Sequence, residues 1–91
     1  MQKYKCLCCG YYTLETKGEY DICPVCFWED DPLQCEDETR LGANKVNLID
    51  ARRNYKEFGA CEAAMLPHVR KPTAEEGVEG DTATGTPSTN G

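Results

Sequence analysis

Four cysteines in the first third of the chain have the spacing of metal ligands. Cys6 and Cys9 form one Cys-x-x-Cys pair, and Cys23 and Cys26 form a second. Two intervening residues let both sulfurs of a pair face one ion, and Gly10 permits a turn with positive φ directly after the first pair. Four thiolates leave no coordination position open, so the pattern predicts a closed, structural metal site.

The donor set favours Zn²⁺ over iron as the cofactor. Tetrahedral sulfur ligation suits both metals, and the segment CGYY resembles the iron knuckle of rubredoxins, which Gly-Tyr often follows. However, the second pair continues as CFWEDD, where rubredoxins usually have a glycine. Metal binding to such a site contributes on the order of 10–16 kcal/mol, so we expect the ion to decide whether the N-terminal half folds.

Composition and charge indicate the cellular compartment and the classes of partner to expect. The chain has 91 residues, seven cysteines and a net charge of -6. A chain this short needs disulfides or a structural metal to stabilise it in addition to its apolar core. The odd number of cysteines and the N-terminus without an apolar stretch disfavour secreted disulfides, so we expect a cytoplasmic metal-binding protein. No apolar run reaches the roughly 18 residues of a membrane span. The negative charge disfavours nucleic acid and anionic membranes as partners.

The remaining pattern predicts a small metal-stapled α+β fold of the zinc-ribbon or rubredoxin-like type. The strand-forming segments YYTL and EYDI, with a turn at Gly18 between them, predict a hairpin that links the two knuckles. The acidic stretch 29–46 is predicted to be a loop. Residues 47–59 predict the main helix, with Asn47 as N-cap and Gly59 as its end. Its apolar face comprises Leu48, Ala51, Tyr55 and Phe58.

One zinc-binding domain is expected over residues 1–66, followed by a disordered tail over residues 67–91. Residues 72–91 contain a single valine and no aromatic residue. Such a segment buries too little apolar surface to offset the entropy of ordering it.

Cys8 does not fit the ligand spacing, and two interpretations of it stay open. It is either a small thiol that packs within the knuckle, or a redox thiol that the neighbouring metal activates. A less favoured hypothesis builds a second metal site from Cys8, Cys35, Cys61 and His68. Otherwise we expect Cys61 against the core, Cys35 in the exposed loop and His68 at the surface.

Phe27 and Trp28 follow the last ligand cysteine. We expect them to cover the metal cluster and to contact Tyr55 and Phe58, rather than to form an exposed patch for a partner. The acids at 29–31 are interpreted as a solvated turn, because they lack the spacing of a calcium loop.

The segments CLCCGYYTLE, GEYDICPVCFWEDD and GANKVNLIDARRNYKEFGACE together resemble the cysteine-rich CPCC family of small, mainly bacterial proteins. The resemblance spans roughly residues 4–62 and extends weakly to the segment VRKP. It implies that Cys6, Cys8 and Cys9 are the family's clustered cysteines and that Cys23 and Cys26 are its second pair. Leu7 stands where the family motif has proline, which removes a rigid φ but no sulfur. The resemblance implies no catalytic activity.

Three functions remain in competition. The first is a non-enzymatic module that binds another protein, and the second is a thiol-based redox or metal sensor that uses Cys8. The third, opposed by the net charge, is a nucleic-acid-binding zinc ribbon that uses Arg52, Arg53 and Lys56. An enzyme is not expected, because one histidine and a closed metal shell provide no nucleophile, base and orienting group.

Overall fold

The computed structural model describes residues 3–77. Its elements are the strands β1 (Tyr4–Lys5) and β2 (Tyr12–Leu14), the helices α1 (Pro32–Glu36) and α2 (Leu48–Phe58), and two 3₁₀ segments at Ala63–His68 and Ala74–Gly77. The predicted small α+β fold, with an antiparallel hairpin and one main helix, is therefore confirmed. Of the predicted tail, residues 78–91 lie outside the described residues, and the domain boundary at residue 66 stays a prediction.

The hairpin encloses the first knuckle instead of linking the two knuckles. β2 pairs with β1, with Tyr4 opposite Leu14 and Lys5 opposite Tyr12. The register changes by one residue between these pairs, so Thr13 is the extra residue of a bulge. The expected pairing of YYTL with EYDI is thus wrong, because a Cys-x-x-Cys turn already reverses the chain and pairs its own flanks.

The second knuckle repeats the hydrogen bonds of the first. The amide of Cys6 donates to Tyr11 O at 2.8 Å, and the amide of Cys23 donates to Trp28 O at 3.0 Å. The amides of Gly10 and Phe27 donate to the carbonyls of Cys6 and Cys23, both at 2.8 Å. A bridge between Ile22 and Glu29 closes the second loop. Both knuckles are therefore independent local turns of the same design.

The main helix agrees with its sequence signals. Asn47 Oδ1 accepts from the amide of Asp50 at 2.8 Å, and Gly59 ends the helix with φ 90°. Leu48 and Ala51 are buried in the core, and Tyr55 is half-buried against it. Phe58 is the last residue of the helix and is 37% exposed. The prediction that it belongs to the buried apolar face is therefore wrong.

The acidic stretch is not a plain loop, because α1 and a buried polar network organise it. Asp31 Oδ1 caps α1 by accepting from the amide of Leu33 at 2.9 Å. The fully buried Gln34 donates through Nε2 to the carbonyls of Arg40 and Val46, and its Oε1 accepts from the amide and side chain of Asn44. One side chain thus satisfies the backbone of a segment that has few apolar residues to bury.

Asp30 and Asp31 are buried rather than solvated, which corrects the interpretation of this turn. Asp30 Oδ2 accepts from the amide of Gly18 at 2.6 Å, and Asp31 Oδ2 accepts from the amide of Ala43 at 2.9 Å. The Ala43 amide is the main cause that lowers the pKa of Asp31. These carboxylates act as backbone clamps.

The two aromatic residues after the second knuckle differ in burial. Trp28 is fully buried, as expected. Phe27 is half-buried and stacks on His68, with ring centroids 5.1 Å apart. Within residues 3–77, no helix has the length and apolar character that a membrane crossing requires.

Substitution of Gly42 by alanine is expected to lower the free energy of unfolding by about 1–3 kcal/mol. The added Cβ would lie 2.5 Å from Asp31 Oδ2 and 3.0 Å from Gln34 Cγ, inside the buried polar network. The measurement is thermal unfolding of the metal-loaded protein. Gly77→Ala is the control, because no heavy atom lies within 4 Å of a Cβ there. Equal stability of the two variants would contradict the packing described here.

Candidate metal centre

The two knuckles bring the four predicted ligand cysteines together. The Sγ atoms of Cys6, Cys9, Cys23 and Cys26 all lie within 4.8 Å of one another. Three of these residues are fully buried, and Cys9 is partly covered. The structure thus forms from two distant pairs one cluster that can hold a metal ion.

The distances in the cluster fit tetrahedral coordination. Cys6 Sγ and Cys26 Sγ are 3.6 Å apart, and Cys9 Sγ and Cys23 Sγ are 3.8 Å apart. A regular tetrahedron with metal–sulfur bonds of about 2.3 Å has sulfurs about 3.8 Å apart. The four thiols therefore match the donor set and the size of a closed tetrathiolate site.

Two groups outside the donor set hold the sulfur of Cys23. The Thr13 hydroxyl lies 2.9 Å from Cys23 Sγ, and the amide of Val25 donates to the same sulfur at 3.4 Å. Thr13 is buried and is the residue that the β2 bulge inserts, so the bulge aims its side chain at the cluster. Such partners orient a ligand and tune its charge.

Hydrogen bonds among the thiols separate their pKa values. Hydrogen bonds from Cys26 and Cys6 lower the pKa of Cys23 strongly, and the Thr13 hydroxyl acts in the same direction. The pKa values of Cys6, Cys9 and Cys26 are raised, chiefly by their hydrogen bonds with Cys23. Four thiolates so close together require a multiply charged cation, which deprotonates the thiols that it binds.

The second knuckle contains backbone strain that the first avoids. Gly10 and Phe27 occupy equivalent places after their cysteine pairs, with φ of 85° and 69°. A left-handed conformation costs little for glycine but about 1–3 kcal/mol for a bulky residue. Packing of the Phe27 ring against the core and His68 offsets this cost.

The remaining cysteines stay outside the four-sulfur group. Cys8 is buried, 7% exposed, and belongs to the same core cluster as the ligand cysteines. This location agrees with a thiol that packs in the knuckle, while its redox role stays a prediction. Burial raises the pKa of Cys61 to about 12. Burial and the hydrogen bond to Asp30 raise the pKa of the half-buried Cys35 to about 12 as well.

A second metal site does not form from the residues proposed for it. Cys35 Sγ donates to Asp30 Oδ1 at 3.3 Å, and His68 stacks on Phe27. Among residues 3–77, the single convergent group of metal-type side chains is the four-cysteine cluster. The second-site hypothesis is therefore wrong, since Cys8, Cys35, Cys61 and His68 do not form such a group.

The match to known families covers both knuckles and α2. The model of the family described as Cysteine-rich CPCC matches residues 4–76. The chain belongs to this family. The match reaches beyond the 4–62 stretch that the quoted segments resemble and includes the 3₁₀ segment Ala63–His68. Comparison with curated proteins finds no match. Leu7, at the family's proline position, packs against the core and accepts at its carbonyl from Arg52 Nε.

Sequence reasoning did not find the residues that support the cluster from outside it. In the sequence, Thr13 is only one residue of a predicted strand, since nothing local indicates that its hydroxyl meets a cysteine ten residues later. Helix α1 did have a signal, because Asp31 followed by Pro32 is a typical N-cap and first helical residue.

Substitution Thr13→Val is expected to weaken binding of Zn²⁺, used as the probe ion, by about tenfold to a hundredfold. Valine preserves the shape of the side chain but removes the hydroxyl 2.9 Å from Cys23 Sγ. Competition with a chromophoric chelator measures the affinity. Thr16→Val, at an exposed position in the same N-terminal half, is the control. Unchanged affinity in Thr13→Val would show that the hydroxyl has no effect on the site.

Proposed function

We propose that this protein is a small non-enzymatic interaction module whose fold is stabilised by one structural Zn²⁺. The observation that carries the proposal is the four-sulfur cluster, with paired sulfurs 3.6 Å and 3.8 Å apart. Cys6, Cys9, Cys23 and Cys26 would hold the ion. Zn²⁺ supplies charge and a rigid tetrahedral joint in such a site, without redox chemistry of its own.

The donor set and its surroundings support a role without catalysis. Four cysteine ligands leave no position for water or substrate, which a catalytic zinc requires. The single histidine, His68, packs against Phe27 at the surface and not beside a nucleophile. The geometry therefore suits a scaffold better than a reaction centre.

A protein partner is favoured because the folded region displays apolar side chains at its surface. Leu33, Leu41 and Ile49 are 47%, 63% and 44% exposed. Burial of these side chains by another protein would remove apolar surface from water and so favour the complex. The metal would contribute by holding the surface in a fixed shape, so that little conformational freedom is lost on binding.

Native mass spectrometry of freshly purified protein is expected to show one Zn²⁺ per chain. Removal of the ion by a chelator is expected to unfold the N-terminal half, because metal binding contributes most of its stability. Fluorescence of the buried Trp28 reports the unfolding by a shift to longer wavelength. Detection of iron in place of zinc would show that the assignment of the metal is wrong. A metal-free chain that stays folded would contradict the structural role of the metal.

The interaction role predicts that the metal-loaded chain captures a specific protein from cell extract. The variant Cys23→Ser, which lacks a ligand of the cluster, is expected to lose that capture together with its metal. The measurement is affinity capture with mass-spectrometric identification at several salt concentrations. Thr16→Val, with an intact cluster, is the matched control. Failure of the wild-type chain to retain any specific protein would count against the module.

A further inference from the structure

A groove with a cavity volume of about 1160 Å³ lies between the first knuckle, α2 and residues 69–72. Five cationic side chains line it, which is half of the ten Lys and Arg residues in the chain. We call it the basic groove, defined by Arg52, Arg53, Lys56, Arg70 and Lys71. Among the described residues, none that lines it is acidic. A protein with a net charge of -6 thus concentrates positive charge at one concave surface.

The cations of the basic groove are available to a ligand. Within residues 3–77, Lys56 and Lys71 make no ion pair and are exposed. The three arginines pair with acids outside the groove lining, namely Glu38, Asp50 and Glu76. The side chains of these arginines are 41–59% exposed, and the exposed Arg53–Asp50 pair contributes little to stability. The Arg70–Glu76 pair is firmer, because both carboxylate oxygens accept from the guanidinium. Carboxylates of a partner can therefore pair with Lys56, Lys71 and Arg53 at small cost. They can join the existing pairs of Arg52 and Arg70 without replacing them.

The groove also offers apolar surface between its charges. Ile49 is 44% exposed and Phe58 is 37% exposed, although both belong to the main helix. Val69 and Pro72 border the same cavity from the opposite side. The volume exceeds the roughly 300–1,000 Å³ typical of pockets for small ligands, and a groove of this kind suits a short polypeptide segment.

We propose that the basic groove binds an acidic segment of a partner protein in which carboxylates alternate with apolar side chains. The carboxylates would pair with the five cations, while the apolar side chains cover Ile49 and Phe58. This inference rests on the proposed interaction role and names the surface and the chemistry of the partner. Charge complementarity with an otherwise acidic protein also steers such a segment to this groove.

A single-stranded nucleic acid fits the groove less well. Stacking of successive bases requires several free aromatic faces. Tyr11 and Tyr55 pack edge-to-face on each other, with ring centroids 6.5 Å apart, which leaves Phe58 as the exposed ring among the described residues that line the groove. The aliphatic side chains of Ile49 and Val69 match apolar side chains better than bases. A strand that extends past the groove would also meet the acidic remainder of the protein.

The test uses the full, metal-loaded chain and a fluorescently labelled synthetic peptide that alternates Glu with Leu and Phe. The double variant Lys56→Glu, Lys71→Glu is expected to weaken binding of this peptide about tenfold or more, because each change replaces attraction by repulsion. Lys17→Glu, Lys45→Glu is the matched control, since it changes the net charge equally at exposed sites outside the groove. Fluorescence anisotropy measures the affinities, and thermal unfolding verifies that both variants fold.

Two further comparisons separate the contributions of charge and apolar contact. Ile49→Gln is expected to weaken binding of the peptide but not of an oligothymidine probe. A peptide with every Glu replaced by Gln is expected to bind more weakly to the wild-type chain. Equal losses in the two double variants would overturn the groove as the site. Tighter binding of oligothymidine than of peptide would overturn the choice of occupant.

The chain's own C-terminal segment is the remaining competitor, because it carries Glu79 and Asp81. Glu79→Gln, Asp81→Asn is expected to leave peptide affinity unchanged, and a tenfold rise would overturn the proposal by assigning the groove to that segment. The groove and the interaction role can fail separately. Capture of the same protein from extract by Lys56→Glu, Lys71→Glu would refute the groove alone, whereas absence of any captured protein with the wild-type chain would refute the role.

Discussion

The convergence of four sulfurs within 4.8 Å is the constraint on which the rest of the structure depends. Among residues 3–77, five of the eleven buried apolar residues are cysteines, so the cluster lies within the core. Four thiolates in that space repel one another strongly unless a cation binds them. In the proposed metal-bound protein, folding of the two knuckles is therefore coupled to binding of the metal.

The later part of the chain is attached to the knuckles through their backbone carbonyls. Arg52 Nε of α2 donates to Leu7 O at 2.8 Å in the first knuckle. In the second knuckle, the amide of Cys61 donates to Cys26 O at 2.9 Å, and the amide of Arg70 donates to Pro24 O at 3.3 Å. A metal that holds the knuckles rigid thus also positions the helix and the segment that together form the basic groove.

A second, polar core complements the sulfur cluster. Gln34 and Asn44 are buried side chains that satisfy the backbone of the acidic stretch, and Asp31 clamps its two ends. The buried carboxylates near α1 accept hydrogen bonds from the backbone, so their negative charge stabilises the fold. Five cations, in contrast, line the basic groove, which gives the molecule an asymmetric charge distribution.

Elements with local signals were predictable from sequence. The two Cys-x-x-Cys pairs, the cap at Asn47 and the end of the helix at Gly59 depend on residues only a few positions apart, and the structure contains each of them. The loop prediction for 29–46 overlooked α1, although the start of that helix also had a local signal. The few apolar residues of the stretch favour a loop, and no neighbouring residue in the sequence indicates that Gln34 is buried.

What only tertiary structure decided involves groups that are distant in sequence. Examples are the contact between Thr13 and Cys23, the strand that pairs with β2, and the position of Phe58. Each of these depends on the direction in which a knuckle leaves the metal site. The basic groove is of the same kind, because Arg52 and Lys71 become neighbours of one cavity only after the chain has returned to the knuckles. The sequence by itself determined the donor set, the fold class and the main helix, since short-range chemistry specifies them. Their mutual placement required the packed molecule, because distance along the chain carries no information on distance in space.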